Sequence, residues 1–152
     1  MHNQPGAWIH PQQDGDTLKN MMAMAMEEAK KCGASQSEVA ASIVVGLATS
    51  VRLGEVDTVE FTRDKGFGVT VYFNQQKGSA STSETSAQAV QETVRAACDI
   101  ARYTSFDPCA GLAEPAYLAQ QFPDLSLYHP WELTPENAIV LAQEVEIGRA
   151  HV

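Results

Sequence analysis

Basic residues are scarce in this chain. Lys and Arg number 10 against 19 Asp and Glu, so the formal net charge is −9 over 152 residues. A surface this acidic is repelled by phosphate backbones, which excludes nucleic acid as an expected partner. Cysteine is scarce too. Cys32, Cys98 and Cys109 form an odd set without C-x-x-C spacing, too small for a disulfide framework. Long apolar runs are missing: none approaches the roughly 20 residues a membrane helix needs, so no membrane partner is expected. No basic start followed by an apolar stretch marks a signal peptide. Together these absences predict a cytoplasmic, reducing location. What is present is ordinary, with 44% apolar and 19% charged residues as in a soluble globular domain. The length suits about one domain with a core of useful size.

The two ends differ from the middle. Residues 1–15 are rich in Pro, Gln and Gly and show neither helical nor strand periodicity, so a mobile tail is expected there. The last seven residues, Glu146-Ile147-Gly148-Arg149-Ala150-His151-Val152, read like an in-frame translation of a common sequencing adapter. They are expected to be foreign, which makes the natural sequence between them, 16–145, a piece of a longer protein.

Between the ends, Asp16 is placed to cap a first helix. Leu18, Met21, Met22, Ala25, Met26 and Ala29 share one face of it, and Gly33 is placed to stop it. Strand alternation follows in Val39, Ala41, Ile43 and Val45, with a break expected at Gly46. Thr49, Val51 and Leu53 resume it, a turn or bulge is expected at Gly54-Glu55, and Val59 and Phe61 continue. A polar turn is expected at Arg63-Asp64-Lys65-Gly66. Phe67, Val69, Val71 and Phe73 alternate most clearly, with Thr70, Tyr72 and Asn74 on the expected wetter face. A hairpin loop over 74–78 then leads to an edge strand at Ser79 to Ser81. Ser86 is placed to cap a second helix whose buried face is Val90, Val94, Ala97 and Ala101. A short helix from Glu114-Pro115 to Gln120 and an irregular run from Phe122 to Trp131 come next. Thr134-Pro135-Glu136 then opens a last helix, with Ala138, Ile139, Ala142 and Val145 as its stripe. The short connections predict antiparallel pairing. The fold class is therefore α+β: an antiparallel β-meander with a helix before it and helices after it packing on one face.

Chemistry is harder to find. A zinc peptidase needs two His on one helical face beside a Glu base. His2, His10, His129 and His151 do not pair at that spacing, and His129 with Glu132 is only half a match. Cys98 reads as a small buried thiol and Cys109 as a structural residue in a loop. Lys77-Gly78-Ser79 inverts the order a phosphate loop requires, and Gly66-Phe67-Gly68 lacks the third glycine of a dinucleotide site. No G-x-S-x-G elbow occurs. From the residues alone, no catalytic, cofactor or metal site is assigned.

Several short segments nevertheless keep a recognisable order. Val51-Arg52-Leu53-Gly54-Glu55-Val56, Val59-Glu60-Phe61, Gly68-Val69-Thr70-Val71-Tyr72 and Lys77-Gly78-Ser79-Ala80-Ser81 resemble the first domain of the TldD/PmbA metallopeptidase family. Ile100-Ala101-Arg102-Tyr103-Thr104-Ser105, Asp107-Pro108-Cys109-Ala110-Gly111 and Pro123-Asp124-Leu125 resemble its PmbA branch, also called TldE. The resemblance covers about 16–145. It implies a cytosolic heteromeric protease of unfolded peptides and peptide precursors. In it, a TldD-like partner carries zinc through an H-E-x-x-x-H helix, and the PmbA-like subunit lacks that site. It implies a first domain that helps enclose the peptide chamber and assemble the subunits. No family catalytic residue maps onto this chain. The resemblance also leaves two other readings open: a non-proteolytic modulator of DNA gyrase, or a piece of a zinc-bearing TldD-like chain. Exposed edge backbone accepts an extended peptide or a partner strand. The edge at Ser79, Ala80, Ser81, Thr82 and Ser83 is accordingly the expected contact for peptide or assembly.

Overall fold

The structure, a computed structural model, describes residues 11–129, 131 and 133–149. Helix α1 (Pro11–Lys31) leads into strands β1 (Gln36–Arg52), β2 (Glu55–Phe73) and β3 (Gln76–Thr82), followed by helices α2 (Ala87–Tyr103) and α3 (Pro135–Arg149). The strands form one sheet in the order β1-β2-β3. The α+β class expected from the sequence is the one observed. The described residues fall into two compact units. One comprises Pro11–Ile43 with Asp64–Phe122, and the other combines Val44–Arg63 with the chain from Pro123 onward.

In the first unit, α1 starts five residues before the expected Asp16 cap. Proline is tolerated in a first helical turn because its missing N–H would have no intrahelical partner. Asp14 supplies an acid at the positive end of the dipole. Residues 11–15 of the expected tail are thus helical, and 1–10 lie outside the described residues. Met21, Ala25 and Ala29 are buried as the spacing predicts, whereas Met26 is exposed. Glu28 is buried in its stead, because Arg95 of α2 reaches its carboxylate at 2.7 Å. Gly33, with φ +89°, ends the helix region as expected.

The core is built where α1 and α2 cover one face of the sheet. Met21, Ala25 and Ala29 meet Phe67, Val69 and Val71 of β2 and Val90, Val94, Ala97, Cys98 and Ala101 of α2. Ser86 caps α2 as expected, its Oγ accepting from Ala89 N–H at 3.2 Å. Gly78 of β3 faces the helix so closely that a Cβ there would lie 2.5 Å from Ala101 N and closer still to the Ala97 carbonyl oxygen. β2 and β3 pair antiparallel from Phe67↔Thr82 to Phe73↔Gln76, so the loop is two residues, Asn74-Gln75, rather than the longer 74–78. Asn74 takes φ +58°, a conformation Asn tolerates. On the other face Tyr72 is buried rather than wet, and its carbonyl accepts from both Ser35 N–H and Ser35 Oγ.

Two breaks expected in the strands are absent. β1 runs through Gly46, and β2 runs through Arg63-Asp64-Lys65-Gly66. These glycines mark close approach between neighbouring strands. A Cβ on Gly66 would lie 3.1 Å from Ser42 Oγ, and one on Gly46 3.1 Å from Thr62 Oγ1.

In the second unit, β1 and β2 meet through Leu53 (φ +55°) and Gly54 (φ +80°). Two successive positive φ values are the requirement of a two-residue hairpin turn whose twist matches its strands. The turn thus lies one residue earlier than Gly54-Glu55. Both turn amides donate to the Glu146 carboxylate, at 2.6 and 2.8 Å. α3 begins as expected, with Thr134 Oγ1 accepting from Asn137 N–H at 3.2 Å. Ala138 is buried, but Val145 is exposed and leaves the expected stripe. The helix expected over 114–120 is in fact a single 3-10 turn, Pro115–Tyr117, in the first unit.

Candidate binding edge and cavity

Alternation along the strands sorts β2 and β3 into two faces. Val69, Val71, Ala80 and Gly78 point to the helices. Gly68, Thr70, Ser79 and Ser81 point away from them. Register places Thr70 opposite Ser79 and Gly68 opposite Ser81. The Thr70 and Ser79 hydroxyls are 3.0 Å apart and share a hydrogen bond. The contact of Ser42 with Gly66 extends this pattern to β1, bringing Ala40 beside Gly68 and Glu38 beside Thr70.

These residues line an open cavity of about 370 Å³: Glu38, Ala40, Gly68, Thr70, Ser79 and Ser81, with Val69 and Ala80 contributing backbone between them. Nothing lies within 4 Å of the position a Gly68 Cβ would occupy. The missing side chain therefore opens the groove rather than relieving a clash. Ser79 and Ser81 are exposed and Ala80 is half-buried. Thr82 ends β3 and its Oγ1 accepts from Glu84 N–H at 3.1 Å. Ser83 falls in the connection to α2, beyond the strand. The structure thus brings Ser79 and Ser81 together with β1 and β2 groups and leaves Thr82 and Ser83 outside the cavity. Sequence reasoning missed Glu38, Ala40, Gly68 and Thr70. For Gly68 and Thr70 the signal was their parity on β2; for Glu38 and Ala40 it required the β1 register, which the misread breaks concealed.

Chemically the cavity offers hydroxyls, strand backbone and one carboxylate. The Thr70 and Ser79 hydroxyls bond each other rather than the carboxylate, so the cavity is suited to holding a chain rather than reacting with one. β3 is the last strand in the order and presents its outer edge beside the cavity.

Of the metal half-match, His129 is exposed and Glu132 lies outside the described residues. Among the described residues no group of three or more His, Cys, Asp or Glu is placed to hold a metal ion. The zinc that a metallopeptidase implies therefore has no fitting donor set among them. Cys109 is exposed, with its N–H donating to Asp107 Oδ1 at 2.9 Å. Among the described residues no helix is long and apolar enough to cross a membrane.

Fold and edge thus define an α+β domain with an open groove on its sheet and no catalytic set among its described residues. Residues 37–101 match PmbA/TldA metallopeptidase domain 1. The chain is 50% identical over 124 residues to metalloprotease PmbA of Escherichia coli O157:H7, covering 82% of this chain and 27% of that relative. It is 46% identical over 129 residues to a metalloprotease PmbA homolog of Haemophilus influenzae, covering 85% and 28%. The chain belongs to the PmbA/TldD metallopeptidase family and spans little more than a quarter of the curated relatives it matches. Its fold is shared with a Bacteroides thetaiotaomicron VPI-5482 protein described as a modulator of DNA gyrase (TM-score 0.76, 24% identity, 86% of this chain and 30% of that one). It is also shared with TldE from Thermococcus kodakarensis (TM-score 0.66, 19% identity, 86% and 29%).

Proposed function

We propose that this chain is the first-domain part of a PmbA-like subunit that acts in the cytoplasm, in proteolysis of unfolded peptides and maturation of peptide precursors. Its role there is to hold and enclose, with zinc catalysis supplied by a TldD-like partner subunit. The observation that carries the reading is the β3 edge beside an open groove lined by Glu38, Gly68, Thr70, Ser79 and Ser81. An extended peptide or a partner strand recognised through its main chain needs such an edge and little else. Recognition of that kind imposes little sequence preference, which suits a protease of unfolded substrates. Half identity to a metalloprotease over 124 residues supports the family chemistry.

The test uses the full-length PmbA-like subunit bearing this domain, co-expressed with its TldD-like counterpart. Ser79→Pro and Ser81→Pro remove edge N–H donors, and Gly68→Leu fills the groove. The expected result is zinc-dependent cleavage of an unfolded peptide by the unaltered pair, and loss of heteromer formation or of cleavage in the variants. Circular dichroism checks that the variants keep their fold. Folded variants with unchanged assembly and cleavage overturn the assignment of the edge. Recovery of DNA gyrase without any peptide cleavage overturns the proteolytic reading in favour of a non-proteolytic modulator.

A further inference from the structure

Two cysteines lie in the packing between α1 and α2. Two polar bridges hold these helices in register. Arg95 Nε donates to Glu28 Oε1 at 2.8 Å, and Arg102 Nη2 donates to the Cys32 carbonyl oxygen at 3.0 Å. Positions 95, 98 and 102 share one face of α2, so Cys98 is flanked by the two arginines that reach α1. Glu28 and Cys32 are one turn apart at the other end of those bridges. Cys98 is 1% exposed within the core, and Cys32 is half-buried and packed against it. Burial pushes the Cys98 thiol up to about 12, and Cys32 adds to this through like charge and direct side-chain interaction. Cys98 is thus shielded from solvent, while Cys32 is the one solvent reaches.

We propose that Cys32 and Cys98 are an oxidation-sensitive pair that a peroxide converts into an intramolecular disulfide joining α1 to α2. In the first step Cys32 Sγ attacks the peroxide. The S–O bond forms, the O–O bond breaks, and the products are a sulfenic acid and water. In the second step Cys98 Sγ attacks the Cys32 sulfur. The S–S bond forms, the S–O bond breaks, and the Cys98 proton leaves with the hydroxide as a second water. Two thiols lose two electrons and one hydrogen peroxide is reduced to two waters. Cys98 is shielded from direct attack by burial, which fixes the order of the steps. The bond closes the long loop from β1 through β3 and fixes the helix pair on the sheet. This inference is independent of the binding edge.

The test takes the 152-residue chain carrying Cys109→Ser, which removes the exposed thiol, and treats it with about one equivalent of hydrogen peroxide before alkylation and unreduced digestion. The expected result is joint loss of both thiols, an intact monomer lighter by two hydrogens, and a linked peptide joining Cys32 to Cys98. The unfolding midpoint rises by roughly 5–15 °C and returns on reduction with dithiothreitol. A further Cys32→Ser change at the half-buried position abolishes the mass change while leaving Cys98 alkylatable after denaturation. In urea, the unaltered chain scrambles, and links to Cys109 appear beside Cys32–Cys98. Sulfinic acid at Cys32 with Cys98 still a free thiol, or links only between molecules, overturns the proposal.

Discussion

Replacing Gly78 with alanine tests how α2 is seated on the sheet. The new methyl carbon would sit 2.5 Å from Ala101 N and 2.9 Å from Ala101 Cβ, where ordinary contacts begin at 3.4 Å. Neither atom belongs to a flexible side-chain end, and the Ala97 carbonyl beyond them is tied into the helix ladder. The helix must therefore shift as a body by roughly 1 Å, and gaps of that size forfeit a quarter to a half of each dispersion contact. The residues that lose contacts are Val90, Val94, Ala97, Cys98 and Ala101, each no more than 1% exposed. Overpacking alone costs about 1–3 kcal/mol, and with this loss across α2 the expected total is about 3 kcal/mol or more. That is a large share of the ~5–15 kcal/mol by which domains are stable. Urea unfolding followed by far-ultraviolet circular dichroism should show a midpoint lower by about 1 M or more. Gly68→Ala is the matched control, since nothing lies within 4 Å of its Cβ position. Alanine there should leave the midpoint unchanged or raise it slightly by restricting the unfolded chain. Equal midpoints for the two variants would refute the close seating of α2.

Three further outcomes follow from local structure. Leu53→Asn should stabilise the chain by about 1 kcal/mol in the same assay, because Asn tolerates the positive φ that costs a branched side chain. Ser86→Ala should cost about 1 kcal/mol by removing the hydroxyl that accepts from Ala89 N–H, and hydrogen exchange should show faster opening of the first turn of α2. Glu136 has its carboxyl held below the usual carboxylate range by its own backbone N–H and by the Thr134 hydroxyl. Its contribution to α3 is therefore full above the unfolded carboxylate value and disappears as pH falls through the lowered folded one. An acid titration of Glu136→Gln should lack that component, and identical acid curves would contradict it.

What could be read in advance depended on how local its cause was. The buried face of α2 and the alternation of Phe67, Val69 and Val71 come from periodicity within one element, and both were legible. The continuity of β1 and β2 was not, because glycine in a strand looks like glycine in a turn until the partner strand is known. Gly46 and Gly66 are explained by Thr62 and Ser42 across the ladder. The burial of Glu28 was not legible for a similar reason: it depends on Arg95, distant in sequence. The exposure of Met26 shows the same limit, since six apolar residues on one helix exceed what a three-residue contact can cover. The β3 side of the candidate groove was visible as Ser79, Ala80 and Ser81. Gly68 and Thr70 needed the β2 parity, and Glu38 and Ala40 needed the pairing of β1 with β2.

The turn at Leu53-Gly54 has a practical consequence for engineering. Leu53 is 88% exposed, and the strands that flank it run for 17 and 19 residues. Their ladder does not depend on the peptide bond at the tip. Opening the chain there yields one piece with α1 and β1 and another with β2, β3, α2 and α3. Each piece holds one side of a long antiparallel pairing and one member of the Glu28–Arg95 bridge. Such halves are suited to use as a split reporter, whose signal returns only when the two pieces meet.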